Sequence, residues 1–148
     1  MCVPACGGDD AGGTAVPDDL DVIASTPASG TIMGVPFTLG TRFMNVSDGE
    51  LFVDLLSTVA ADCTVDETDE QYPFIIFSTS PTPGTTTLGF DTGTVTFVDK
   101  PSNNLIVTSG VITIDAVTAD RVIGGLHVWD AEFGEINGRF DGELCYTN

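Results

Sequence analysis

The last segment of the chain alternates strictly. Between positions 135 and 146, Ile136, Gly138, Phe140, Gly142, Leu144 and Tyr146 share one face, and Asn137, Arg139, Asp141, Glu143 and Cys145 share the other. A period of two with one apolar side marks a β-strand that buries one face and wets the other. The same alternation recurs at 94–98, with Val95 and Phe97 inward and the threonines outward. Residues 105–117 read as one long strand bulged at Ser109-Gly110, with Ile112, Ile114 and Ala116 on one face. Turns at 118–120 and at Phe133-Gly134 separate this strand from 121–133 and from the final segment.

Upstream, residues 31–46 carry Ile32, Val35, Phe37, Leu39, Phe43 and Val46, interrupted by Gly34, Pro36 and Gly40. That spacing predicts two short strands or one bent strand with a bulge. Ser47-Asp48-Gly49 is a tight-turn signal, so residues 50–57 should return as a hairpin partner. Within them, positions 51–56 are apolar on both sides except for Asp54, which fits a strand covered on two faces or one or two helical turns. Residues 72–78 are short, β-branched and aromatic, with Pro73 at a strand's start, and turn clusters follow at 80–87 and 100–104. Eight or nine short strands joined by turns predict an all-β fold: an antiparallel β-sandwich, jelly-roll or immunoglobulin-like, or a barrel. Local pattern leaves sandwich and barrel open, because closure depends on pairing the first strand with the last.

No such period exists before Gly30. Residues 1–29 mix Gly7, Gly8, Gly12 and Gly13 with Asp9, Asp10, Asp18, Asp19 and Asp21, broken by Pro17 and Pro27. This composition predicts a flexible acidic arm, followed by a single β domain over 30–148. A chain of 148 residues suits one core.

The formal net charge is −18, from 22 acids and 4 bases. Setting aside the arm's five Asp leaves seventeen acids and four bases in the body. Such a chain lacks the clustered cations that displace counterions from phosphate, which argues against nucleic-acid partners. An electrostatic hold on an anionic membrane fails for the same reason, so membrane association is expected only through a lipid anchor.

Val3-Pro4-Ala5-Cys6-Gly7-Gly8 resembles the cleavage and lipidation box of exported bacterial lipoproteins. In that family a small residue precedes a Cys that takes the diacylglycerol, and a Gly- and Asp-rich tether follows. Ala5 and Cys6 match those two positions, whereas the proline two places before the Cys departs from the pattern. Further on, Gly30 to Phe37, Cys63, Ser109 to Ile114, Val122 to Val128 and the G-x-F-x-G-x-x-C hairpin ending at Cys145 are similar to small uncharacterised all-β domains of such lipoproteins. The resemblance implies an exported protein in the periplasm, at the outer membrane surface or outside the cell, and it implies no activity.

Cysteine usage points the same way. Cys2 and Cys6 lie in the arm, Cys63 and Cys145 in the body, and no C-x-x-C pair makes a zinc site. A Cys63–Cys145 disulfide would pin the last strand to the loop after an early one; the alternative is two buried, unpaired thiols in a reducing compartment.

Candidate chemistry is sparse. The one histidine, His127, lies two residues from Trp129, and no G-x-S-x-G supplies a nucleophile for a triad, so it reads as a histidine packed against Trp129 on a sheet face and catalysis is not expected. Twenty-two acids offer many carboxylate pairs without singling out one for glycoside hydrolysis. A sugar-binding platform looks thin, because Tyr72, Trp129 and Tyr146 are the aromatics other than Phe. Asp62, Asp66, Glu67, Asp69 and Glu70 fall within nine residues, a density that suits Ca2+ as a cofactor, but without EF-hand spacing the run reads first as a solvated acidic loop. Asn45-Val46-Ser47 has the form of a glycosylation triplet. Two functional expectations follow. One is a non-catalytic exported module, tethered at its N-terminus, that binds an extracellular ligand. The other is a self-assembling subunit of a fibre or surface layer whose arm is donated to a neighbour's sheet.

Overall fold

The structure is a computed structural model and describes residues 15–65 and 71–148. Among these residues there is no helix. In chain order the strands are β1 Ser29–Ile32, β2 Val35–Thr38, β3 Thr41–Ser47, β4 Glu50–Leu56, β5 Phe74–Thr79, β6 Gly84–Thr87, β7 Val95–Lys100, β8 Asn103–Val107, β9 Gly110–Val117, β10 Arg121–Asp130, β11 Gly134–Arg139, β12 Gly142–Glu143 and β13 Tyr146–Thr147. The first sheet runs β2-β1-β11-β10-β9-β6, with β12 beside β10, and the second runs β13-β3-β4-β5-β7-β8. Both sheets are open, so the fold is a β-sandwich and not a closed barrel. Strand pairs are antiparallel apart from the parallel pair β13–β3.

Asp48 and Gly49 build the β3–β4 hairpin with φ of 51° and 81°, both left-handed, as a two-residue primed turn requires. The ambiguity at 51–56 resolves as a strand. Leu51, Val53 and Leu55 are fully buried in the main core, while Phe52 and Asp54 face outward. Phe77, Val95, Phe97 and Val107 extend that face, and Ile112, Ile114, Leu126, Val128, Ile136 and Phe140 close it from the first sheet. A smaller cluster of Leu56, Phe74 and Val98 sits on the outer side of the second sheet, with Val65 packed against it.

Two segments read as continuous strands are divided. Residues 105–117 split at Thr108 and Ser109: β8 pairs with β7 in the second sheet, and β9 pairs with β10 in the first. The final segment likewise runs along β10 as β11 and β12, then leaves to pair β13 with β3 across the sandwich. Core-facing parity reverses at each crossing. Val107 faces the core on β8 but Ile112 and Ile114 do so on β9. Ile136 and Phe140 are in the core, whereas Tyr146, read on the same face, stands on the outer side of the second sheet. These divisions give the described residues more strands than the eight or nine counted from turns. So do β1, β2 and β3, three strands where one or two are expected over 31–46, and β6, formed by residues 84–87 that read as part of a turn cluster but pair with β9.

Hydrogen-bonded structure also begins before Gly30. The Ala28 amide donates to the Arg139 carbonyl, the Arg139 amide donates to Thr26, and Ala28 is fully buried. The Ala24 amide donates to the Asn137 side chain at 2.8 Å. Ile23 lies over Gly125, where a Cβ would come within 2.8 Å of the Ile23 methyl. This part of the segment assigned to the arm therefore covers the outer face of the first sheet.

Candidate functional site

The outer face of the second sheet is built by the residues that its strands turn away from the core. Register aligns Tyr146 on β13 with Asn45 on β3, Asn45 with Phe52 on β4, and Phe52 with Ser78 on β5. The neighbouring row joins Phe43, Asp54, Ile76 and Thr96. These rows line a groove of about 890 Å³ that Glu50, Thr94 and the Thr92-Gly93 turn also border. From β13 to β7 it crosses five strands, about 19 Å at the usual strand spacing.

Its lining combines aromatic surface with polar side chains. Phe52 and Tyr146 are 39% and 46% exposed. The Phe43 ring meets Tyr146 edge-on with centroids 6.2 Å apart, an arrangement that fixes both rings. Asn45 is buried at the groove floor, so the asparagine of the glycosylation triplet is not presented to solvent. Among the described residues, two carboxylates, Asp54 and Glu50, and no Lys or Arg line the groove.

The sequence-predicted residues fall elsewhere. Cys63 and Cys145 form a disulfide with Cα atoms 5.3 Å apart. The Cys63 amide donates to Arg42 O and the Cys145 amide to Met44 O, carbonyls two residues apart that point to one edge of β3, so the bridge lies along the edge that β13 also joins, opposite β4. Asp62 sits beside it. Its carboxylate accepts the amides of Arg42 at 3.2 Å and Glu143 at 3.1 Å, and lies 3.6 Å from the Arg42 guanidinium. Asp62 thus ties the loop to β3 and β12. Asp66, Glu67, Asp69 and Glu70 lie outside the described residues, as does Cys6; among the described residues no group of three or more His, Cys, Asp or Glu is placed to hold a metal.

His127 is 1% exposed. Its Nδ1 faces the carbonyls of Val22 at 2.8 Å and Asp19 at 3.1 Å, and its Nε2 lies 2.6 Å from Glu135 Oε1. Nδ1–H donates to the backbone, and a proton between Nε2 and Glu135 closes the second bond. With both nitrogens engaged, the ring has no free lone pair to accept a proton from a nucleophile. It serves as a clasp for residues 19–22. Arg139 is held by Asp115 and by Asp141, the latter at 3.5 Å; the Asp115 hydrogen bond is the largest cause holding the guanidinium pKa above its ordinary value.

Reading residue types alone misses the groove. Phe43 and Phe52 become a platform only once the faces of β3 and β4 are assigned. Their parity carried that signal, whereas the arrival of Tyr146 from the other sheet had none. No family model, curated protein or solved structure matches this chain.

Proposed function

We propose that this chain is a non-catalytic module of an exported lipoprotein, tethered through a lipid on Cys6, that presents the open face of its second sheet to an extracellular ligand. The observation that carries the reading is the bonding of Cys63 to Cys145 along the edge of β3. Disulfides persist in oxidising compartments and are rare where glutathione keeps thiols reduced. The lipidation-like run ending at Cys6 and the acidic, base-poor composition support the same placement. The engagement of both His127 nitrogens supports a binding role over catalysis.

Cell fractionation with metabolic palmitate labelling tests the reading. The wild-type chain, expressed with its export signal, should partition with membranes, carry label and be cleaved by protease added outside the inner membrane. Cys6→Ser should lose the label and the membrane association. A protein found unlabelled in the cytoplasm contradicts the proposal.

A further inference from the structure

Residues 78–87 are the most hydroxyl-rich stretch of the chain. Seven of the ten are Ser or Thr, two are Pro and one is Gly. On a chain with 22 acids, residues 71–90 carry no charged side chain at all. Ser78 and Thr79 end β5 and residues 84–87 form β6, while residues 80–83 belong to neither strand and carry the chain from the second sheet to an edge of the first. Within that connection Ser80, Thr82 and Pro83 are exposed.

We propose that Thr82 is an O-glycosylation site, a proposal that rests on the export reading above. Runs of Ser and Thr broken by Pro have the composition of O-glycosylated segments. Here the backbone, the neighbouring hydroxyls and the local charge single out one position. Ser80 and Thr82 each precede a proline, which holds both residues extended, and Pro81 and Pro83 have no N–H to give to a sheet. An extended, exposed stretch outside the ladders is the form in which a transferase can take up a peptide.

The other hydroxyls of the run are less accessible. Ser78, Thr79 and Thr86 are half-buried. The Thr85 hydroxyl lies 2.9 Å from that of Thr113, and Thr87 is paired into β6 opposite Val111. Thr82 Oγ1 lies 2.7 Å from Ser80 Oγ. With Ser80 donating, that bond survives modification, because an ether oxygen still accepts.

Charge favours the same place. The donor in such a transfer is a lipid- or nucleotide-linked sugar phosphate, an anion that a chain of net charge −18 repels except where its surface is neutral. Thr82 Oγ1 attacks the anomeric carbon of that donor. The new C–O bond forms as the bond from the anomeric carbon to the phosphate oxygen breaks. The phosphate leaves with the electron pair, and the hydroxyl proton passes to a base of the transferase. Phosphorylation of the same hydroxyl would instead add about −1.5 to −2 to a chain already strongly negative.

Non-reducing peptide mass spectrometry of the protein from its native cells tests the proposal. Cleavage after Glu70 and Asp91 releases residues 71–91, with all seven hydroxyls in one peptide. Electron-transfer fragmentation should place a sugar mass on Thr82. Thr82→Ala should lose that sugar and Thr82→Ser should keep it, and the wild-type peptide carries the test if a variant fails to fold. A bare peptide overturns the proposal, as does a phosphate in place of the sugar, or sugar confined to other residues. The same digest reports the Cys63–Cys145 bridge and the state of Cys6. A bare peptide beside an intact bridge and a lipidated Cys6 defeats this proposal alone, whereas a bare peptide with free thiols and an unmodified Cys6 defeats the export reading as well.

Discussion

Cys63 and Cys145 meet along one edge of β3, each donating its amide to a carbonyl of that strand: Cys63 to Arg42 and Cys145 to Met44. The disulfide therefore fixes the strand that carries Phe43 and Asn45, together with the chain end that carries Tyr146. It closes a loop spanning 82 positions. Chain-entropy reasoning assigns such a closure roughly 4 to 5 kcal/mol, by restricting the unfolded state. Calorimetry with and without reductant should show a loss of that order, and Cys63→Ser with Cys145→Ser should match the reduced wild type. An unchanged melting temperature would refute the role of the bridge.

Asp62 should prove structural. Asp62→Ala leaves the amides of Arg42 and Glu143 without their acceptor, at a cost of about 1 to 3 kcal/mol in denaturant unfolding. A neutral effect would mean that water replaces the carboxylate without loss.

His127 holds the covering segment in place. His127→Ala removes the donor to Val22 and the partner of Glu135, and should destabilise by about 2 to 3 kcal/mol. The same variant should speed proteolysis within residues 19–26. Gly125→Val pushes against Ile23 and should produce the proteolytic effect too. Protease resistance equal to wild type in both variants argues against the clasp.

Self-assembly by donation of the whole arm conflicts with the bonds that residues 24–28 make within their own chain. Light scattering should report the mass of one chain, and removing residues 1–14 should not change it. A stable oligomer that falls apart on that truncation would favour the fibre or surface-layer reading.

Fold class was legible because alternation and turn chemistry are local. Val95 and Phe97 reach the core, and Asp48-Gly49 makes the hairpin turn. The two changes of sheet, after Val107 and before Tyr146, were hidden because apolar residues occupy both parities there: Ile106 and Tyr146 are exposed, while Val107, Ile112 and Ile136 reach the core. The docking of residues 19–28 was hidden for a different reason. Their composition suits a solvated tether, and what orders them is a partner surface distant in sequence, with His127, Asn137 and Arg139 supplying the bonds. The groove needed both face assignment and the position of the chain end, so Phe43, Phe52 and Tyr146 did not stand out as a set.

The most direct test of the central claim, export of a disulfide-locked sandwich, is mass spectrometry of the protein isolated from its native cells under alkylating, non-reducing conditions. The account predicts a peptide pair joined through Cys63 and Cys145, with a lipid-modified Cys6. Recovery of both body cysteines as alkylated free thiols, with Cys6 unmodified, would contradict it.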